Sequence, residues 1–260
     1  MRPRFVTATR YVTPLREGGS LPAIVEADDD GLYVAKFRGA GQGPKVLISE
    51  LVAGEIGRVL RLPVPEIVFL DVDPVLSKAE PDPEIQDLLK SSAGLNIGSD
   101  YLPGSFAFVA GSGLDIDPVF AAQVIWFDAL IMNVDRTPRN ANMLIWHGNP
   151  WLIDHGASIY LHHGTPGFSA RADEPFRSIA DHVLLPFASS IELVSDEMAS
   201  RCSVADLEEI VSLIPDSWLD VSDSSGAASA RMEYLEFFRL RLEAQRWFVE
   251  EAERARALSV

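Results

Sequence analysis

Three polar side chains in the stretch NVDRTPRNANMLIWHGNPWLIDHG, Asp135, Asn140 and Asp154, have the types and order that moving a phosphoryl group requires. That reaction leaves a protein little covalent chemistry to do, so catalysis reduces to orienting the accepting hydroxyl and neutralising the phosphate oxygens. Asp135 supplies a carboxylate that can orient and deprotonate the hydroxyl. Asn140, five residues on, and Asp154 supply the hard oxygen donors that Mg2+ takes. MLIW and WLI read as two strands joined by a short turn, which brings the three side chains together. Asp and Asn are also turn formers, so DRTPRN and HGNP read equally as loop punctuation between buried strands.

A lysine far upstream tips the balance toward chemistry. In YVAKFRGAGQGPK, Tyr33 to Phe37 alternates and is rich in β-formers, and Lys36 sits within that strand between apolar neighbours. The plainer alternative is a solvated lysine pointing outward. If buried, the ammonium needs a partner, which a nucleotide phosphate and a helix carboxylate would supply. The next helix, Lys45 to Leu60, carries Ile48, Val52, Ile56 and Val59 on one face. Glu55 projects from that apolar stripe and Glu50 points roughly the other way, so the helical wheel selects Glu55 as the partner.

With these residues in place the chain resembles the HipA-like kinases, and its catalytic loop is similar to that of type II phosphatidylinositol 4-kinases. The resemblance rests on Lys36 in YVAKF, the helix SELVAGEIGRVLRLPVP, Asp135 and Asn140 in NVDRTPRN, and Asp154 in LIDHG; it covers roughly Val12 to Ala157. The Asp135-to-Asn140 offset is that of the kinase loop HRDxxxxN, and Lys36 precedes its helix as the β3 lysine of a kinase does. The resemblance implies that Asp135 is the catalytic base, that Asn140 and Asp154 are metal ligands, and that Lys36 contacts the ATP phosphates. By its distance from LPVP it selects Glu50, against the wheel, so the glutamate stays open. Thr137 stands where such loops commonly carry histidine, and the chain is shorter than full-length HipA toxins, so neither toxicity nor an antitoxin partner follows.

The candidate for a phosphate-covering loop is Gly18, Gly19 and Ser20, ahead of a strand at Ala23 to Glu26, although the local sequence reads slightly better as an ordinary hairpin loop. A second glycine cluster, Gly39, Gly41 and Gly43, lacks both GxGxxG and GK[ST] and reads as a flexible loop. By position, Ser99 to Leu102, including Tyr101, is the hinge whose backbone would bind adenine; Tyr101 reads equally as a core aromatic. Asp82 to Lys90 reads as a short surface helix.

The net charge of −16 argues against a nucleic-acid or anionic-membrane partner, which weakens the phosphoinositide option. One cysteine, Cys202, excludes internal disulfides, and no apolar signal segment opens the chain, so a cytoplasmic location is expected. Four histidines, His147, His155, His162 and His163, fall close together, but solvated loop positions explain them better than a metal site. Further helices are expected at Pro118 to Met132, Asp181 to Ser190, Val204 to Ile214 and Arg231 to Ala257, with Val221 to Ala230 a flexible linker. The stripe of the last helix is Tyr234, Phe237, Phe238, Leu240 and Trp247.

The expected fold is α+β, protein-kinase-like and bilobal: a small β-rich lobe over residues 1–102 and a mostly helical lobe over 103–260. The expected function is transfer of the γ-phosphoryl group of Mg-ATP to a hydroxyl, with a protein serine or threonine as acceptor. The alternatives are a nucleotide-binding pseudokinase-like regulator and a small-molecule or lipid kinase.

Overall fold

The computed structural model describes residues 2–15, 21–41, 43–164, 167–221 and 224–259. Five strands near the N-terminus close into a small barrel in the order β1-β2-β3-β5-β4. They are β1 (Arg4–Pro14), β2 (Ala23–Ala27), β3 (Leu32–Lys36), β4 (Ile67–Val72) and β5 (Gly94–Asp100). β1 pairs antiparallel with β2 and parallel with β4, and that second pairing closes the barrel. The sequence pattern did not announce β1, because only Val6 and Ala8 of its eleven residues are buried. They join Ala23, Val25, Ala35, Val68 and Leu70 in the barrel core.

The helix α1 (Pro44–Val59) packs against β4 and β5 of the barrel and also against the helical segment at residues 204–212. Every residue from Leu47 to Gly57 is buried, so the helix has no solvent face for a wheel to find. Close approach is possible because Gly57 has no side chain: a Cβ there would lie 2.9 Å from Val64 and 3.2 Å from Phe127. The helix α2 (Pro83–Ser91), capped by Asp82, turns Ile85, Leu88 and Leu89 into the barrel core and is thus more than a surface insertion.

A short strand β6 (Phe106–Ala107) then leads to α3 (Pro118–Ile131), buried from Ala121 onward apart from the half-buried Gln123 and closed by Met132 in the left-handed region. The hairpin β7 (Met143–Trp146) and β8 (Asn149–Leu152) pairs with β6 in a second sheet. The C-terminal part is completed by α4 (Glu192–Arg201), α5 (Val204–Ser212), α6 (Ser224–Glu243) and α7 (Gln245–Ser259).

Three sequence expectations are corrected here. Asp181 to Ser190 is not an α-helix but two 3-10 turns, Arg177–Asp181 and Leu185–Phe187; Pro186 has no N–H to donate and interrupts any regular ladder. The expected linker is helical from Ser224 onward, the alanine-rich run AASAR favouring helix over a mobile chain. The last helix is divided at Ala244, which shifts the phase of the buried stripe so that Phe248, at 1% exposure, enters the core while Trp247 stays 59% exposed. α4 has little apolar character and was not expected at all.

Candidate active site

Lys36 ends β3 and is buried, with its ammonium between two carboxylates, Glu50 of α1 and Asp154 just after β8, the latter at 2.5 Å. Glu55 instead pairs with Arg58, one turn along the same helix, at 2.8 Å, and is not among the residues lining the cleft. The helical wheel was misled because α1 is buried all round. Burial works against the Lys36 charge, but Glu50 and Asp154 outweigh it and raise its pKa. The two carboxylates share this cation unequally. Burial, with Asp154 adding to it, raises Glu50 despite Lys36, whereas Lys36 overcomes burial at Asp154 and holds that carboxyl down.

Three contacts tie α1 to the chain after Asp154. The His155 N–H donates to Glu50 Oε2 at 3.1 Å, Ser49 Oγ to the Ser158 carbonyl at 2.8 Å, and Lys45 Nζ to the His162 carbonyl at 2.5 Å. Gly156 permits this approach, since a Cβ there would lie 2.8 Å from Val46 and 2.9 Å from Glu50 Oε1. Asp154 itself sits at φ 55°, a left-handed conformation that few non-glycine residues adopt and that clusters at functional sites.

In the same cleft, Asn140 Nδ2 donates to Asp135 Oδ2 at 2.8 Å and Asn142 Nδ2 to the same oxygen at 3.3 Å. Burial and the nearby Asp154 charge raise the Asp135 pKa, with the Asn142 and Asn140 bonds pulling the other way. Asn142 was not singled out from the sequence, although it lies in the same NxN pattern as Asn140. Arg136 is fully buried and paired with Asp128 of α3 at 2.5 Å, a brace, while Arg139 lines the cleft.

The cleft encloses about 950 Å3, and its lining includes Lys36, Glu50, Asn140 and Asp154 together with Ser99, Tyr101 and Leu102. The Tyr101 N–H is committed to the Leu32 carbonyl at 2.9 Å, and the Leu102 carbonyl accepts from Ser105 Oγ at 2.8 Å. Gly18, Gly19 and Ser20 lie outside the described residues; Pro14, Leu15 and Pro22 on either side of them line the cleft. Gly39 is packed against Ser91 and Ser92 near α2.

The four histidines do not converge on one site, and His155 and His162 are buried in the core rather than solvated as expected, only His162 and His163 facing each other. His155 packs edge-on against Phe127, and burial lowers its pKa to about 3. His162 is also held neutral by burial, at about 3, with Nδ1 on the Tyr234 hydroxyl and Nε2 3.1 Å from Nε2 of His163. Among the described residues no group of three or more His, Cys, Asp or Glu side chains could hold a metal by itself. Nor is any described helix long and apolar enough to cross a membrane.

The HipA-like kinase family matches this sequence over residues 9–246. The chain belongs to the HipA-like kinase family. Among solved structures, the Helicobacter pylori proinflammatory kinase CtkA is similar at 14% identity and a TM-score of 0.55, over 98% of this chain and 99% of that one. The Golgi casein kinase is similar at 10% identity and a TM-score of 0.46, over 94% of this chain and 74% of that one. No curated relative matches. The likeness to CtkA gives this HipA-like kinase a protein-kinase-like fold, with a β-rich N-terminal part and a helical C-terminal part. Family membership makes it a kinase-like phosphotransferase.

Proposed function

We propose that this HipA-like kinase moves the γ-phosphoryl group of Mg-ATP to the hydroxyl of a protein serine or threonine. The observation that carries the reading is the Lys36 ammonium held between Glu50 and Asp154 in a cleft that Asn140, hydrogen-bonded to Asp135, also lines.

Asp135 is the base. Its raised pKa moves it toward the working pH, where a carboxylate accepts a hydroxyl proton more effectively, and the Asn140 and Asn142 amides fix the oxygen that accepts. Asp154 and Asn140 fit Mg2+ by their chemistry: both offer hard oxygen, and a magnesium site keeps only one or two protein ligands beside phosphate and water. The Asn140 amide nitrogen is engaged with Asp135, which leaves its Oδ1 for the ion. Magnesium, when bound, neutralises charge on the phosphate oxygens. Lys36 binds the nucleotide phosphates, and Glu50 keeps it aimed. The Leu102 N–H, which donates to no protein acceptor among the described residues, binds the adenine edge at the hinge. We take the division between lobes to follow Leu102.

The reading is tested by incubating the protein with γ-labelled ATP and Mg2+ and hydrolysing the labelled product. Phosphoserine or phosphothreonine is the expected outcome; label on small molecules or lipid alone would refute the protein acceptor.

A further inference from the structure

We propose that Asp128 and His182 are positioning residues that lock the catalytic loop to the segment around His182, holding Asp135 at its working position. This rests on the phosphotransferase reading and extends it to side chains that do not line the cleft.

Asp128 lies on α3 with 0% exposure, and a carboxylate so buried persists only when every lone pair is engaged. Its Oδ2 accepts from Arg136 Nε at 2.5 Å and faces His182 Nε2 at 2.8 Å, and its Oδ1 accepts from Asn133 Nδ2 at 3.0 Å. Two of these partners lead directly to the base. Asn133 Oδ1 accepts the Asp135 N–H at 3.1 Å. The Arg136 guanidinium donates to the Asn142 carbonyl, and the Asn142 amide holds Asp135 Oδ2 at 3.3 Å. Backbone and carboxylate of Asp135 are therefore fixed by two routes that both begin at Asp128.

His182 is the contact that comes from elsewhere, 54 residues away in sequence. Its Nδ1 accepts the Leu184 N–H at 3.1 Å, so the ring proton sits on Nε2 and is donated to Asp128. The adjacent Val183 N–H donates to the Arg136 carbonyl at 3.0 Å, stitching the same segment to the loop a second time. A purely structural brace in this place would be served as well by apolar packing, since buried ion pairs contribute little net stability against hydrophobic replacements. What the polar cluster adds is direction, and the direction ends on Asp135.

Because Asp128→Asn would strand a buried guanidinium and endanger folding, the test uses two isosteric halves of His182 in the full chain. The amide nitrogen of His182→Gln reproduces the Nε2 donor to Asp128, whereas the carbonyl of His182→Asn reproduces only the Nδ1 acceptor for Leu184. Amide hydrogen exchange over residues 133–142 and Mg-ATP turnover, read as label on protein plus free phosphate, are measured for each. His182→Asn is expected to speed exchange in that stretch about tenfold. Its kcat falls roughly 10- to 100-fold with KM for Mg-ATP unchanged, as a misplaced catalytic group behaves. His182→Gln restores both. The proposal is overturned if the two variants behave alike, or if kcat follows melting temperature while exchange at 133–142 stays as in the wild type. A wild type without turnover would refute the phosphotransferase reading, and the exchange comparison would still decide this one.

Discussion

Lys36, Glu50 and Asp154 on the cleft wall, and Asp128, Arg136 and His182 beneath the catalytic loop, are both clusters of buried charge, but only the second is electrically complete. In the first, one ammonium serves two carboxylates; Glu50 is pulled up, Asp154 is held down, and the Asp154 side chain remains 40% exposed. In the second, the Asp128 and Arg136 side chains have no exposure, and Asp128 is held far below the usual carboxylate range because Arg136 and His182 outweigh its burial. Surplus negative charge facing a cleft suits the cation that the proposed reaction uses. A cluster with every oxygen engaged is a place where geometry is being held. On the proposed reading the same residue types serve binding in one case and alignment in the other.

The comparison breaks most visibly at Asp135, the residue between the two clusters. Asp135→Asn is expected to lower kcat by roughly 10²- to 10⁴-fold, the usual range for a lost general base, with Mg-ATP affinity unchanged by calorimetry. At the complete cluster a loss of stability joins the loss of rate. Asp128→Asn should destabilise the fold by about 3–5 kcal/mol at pH 7 in urea unfolding, the cost of leaving one partner of a buried pair uncompensated. Because the folded carboxylate keeps its proton off while an unfolded aspartate takes one up near pH 4, the wild-type advantage should persist above about pH 4 and shrink as pH falls below it.

A third test concerns a group outside both clusters. His162 is held neutral in the fold, with a pKa of about 3, while the unfolded imidazole protonates near pH 6.5. Stability should therefore fall as pH drops from about 6.5, and His162→Phe should remove up to roughly 1.4 kcal/mol per pH unit from that slope between pH 6 and pH 4. The smallest effect belongs to Glu55→Gln, expected to shift stability by no more than about 1 kcal/mol and to leave kcat as in the wild type. A large loss of rate there would restore the pairing that the helical wheel suggested.

Much of the cleft was legible in the sequence because its residues lie in short motifs between recognisable strands. NVDRTPRN and LIDHG fall on either side of a hairpin, and YVAKF carries Lys36 on a strand that the structure ends at that very residue. The choice between Glu50 and Glu55 was not legible from periodicity, since a helix buried on every side has no face. The complete cluster was invisible for another reason. Asp128 is a single charged residue inside the apolar run expected as a helix over Pro118 to Met132, and His182 lay in a segment expected to be helical, 54 residues away, with no local pattern linking the two. Motifs record what a ligand requires locally; alignment depends on contacts that only the fold brings together.

The central claim is tested most directly by incubating the protein with γ-labelled ATP and Mg2+ beside Asp154→Ala, reading label on protein together with nucleotide-dependent thermal stabilisation. The account predicts transfer in the wild type and none in the variant, with metal-dependent stabilisation lost as well. Equal labelling by the two proteins, or neither labelling nor stabilisation in the wild type, would contradict it.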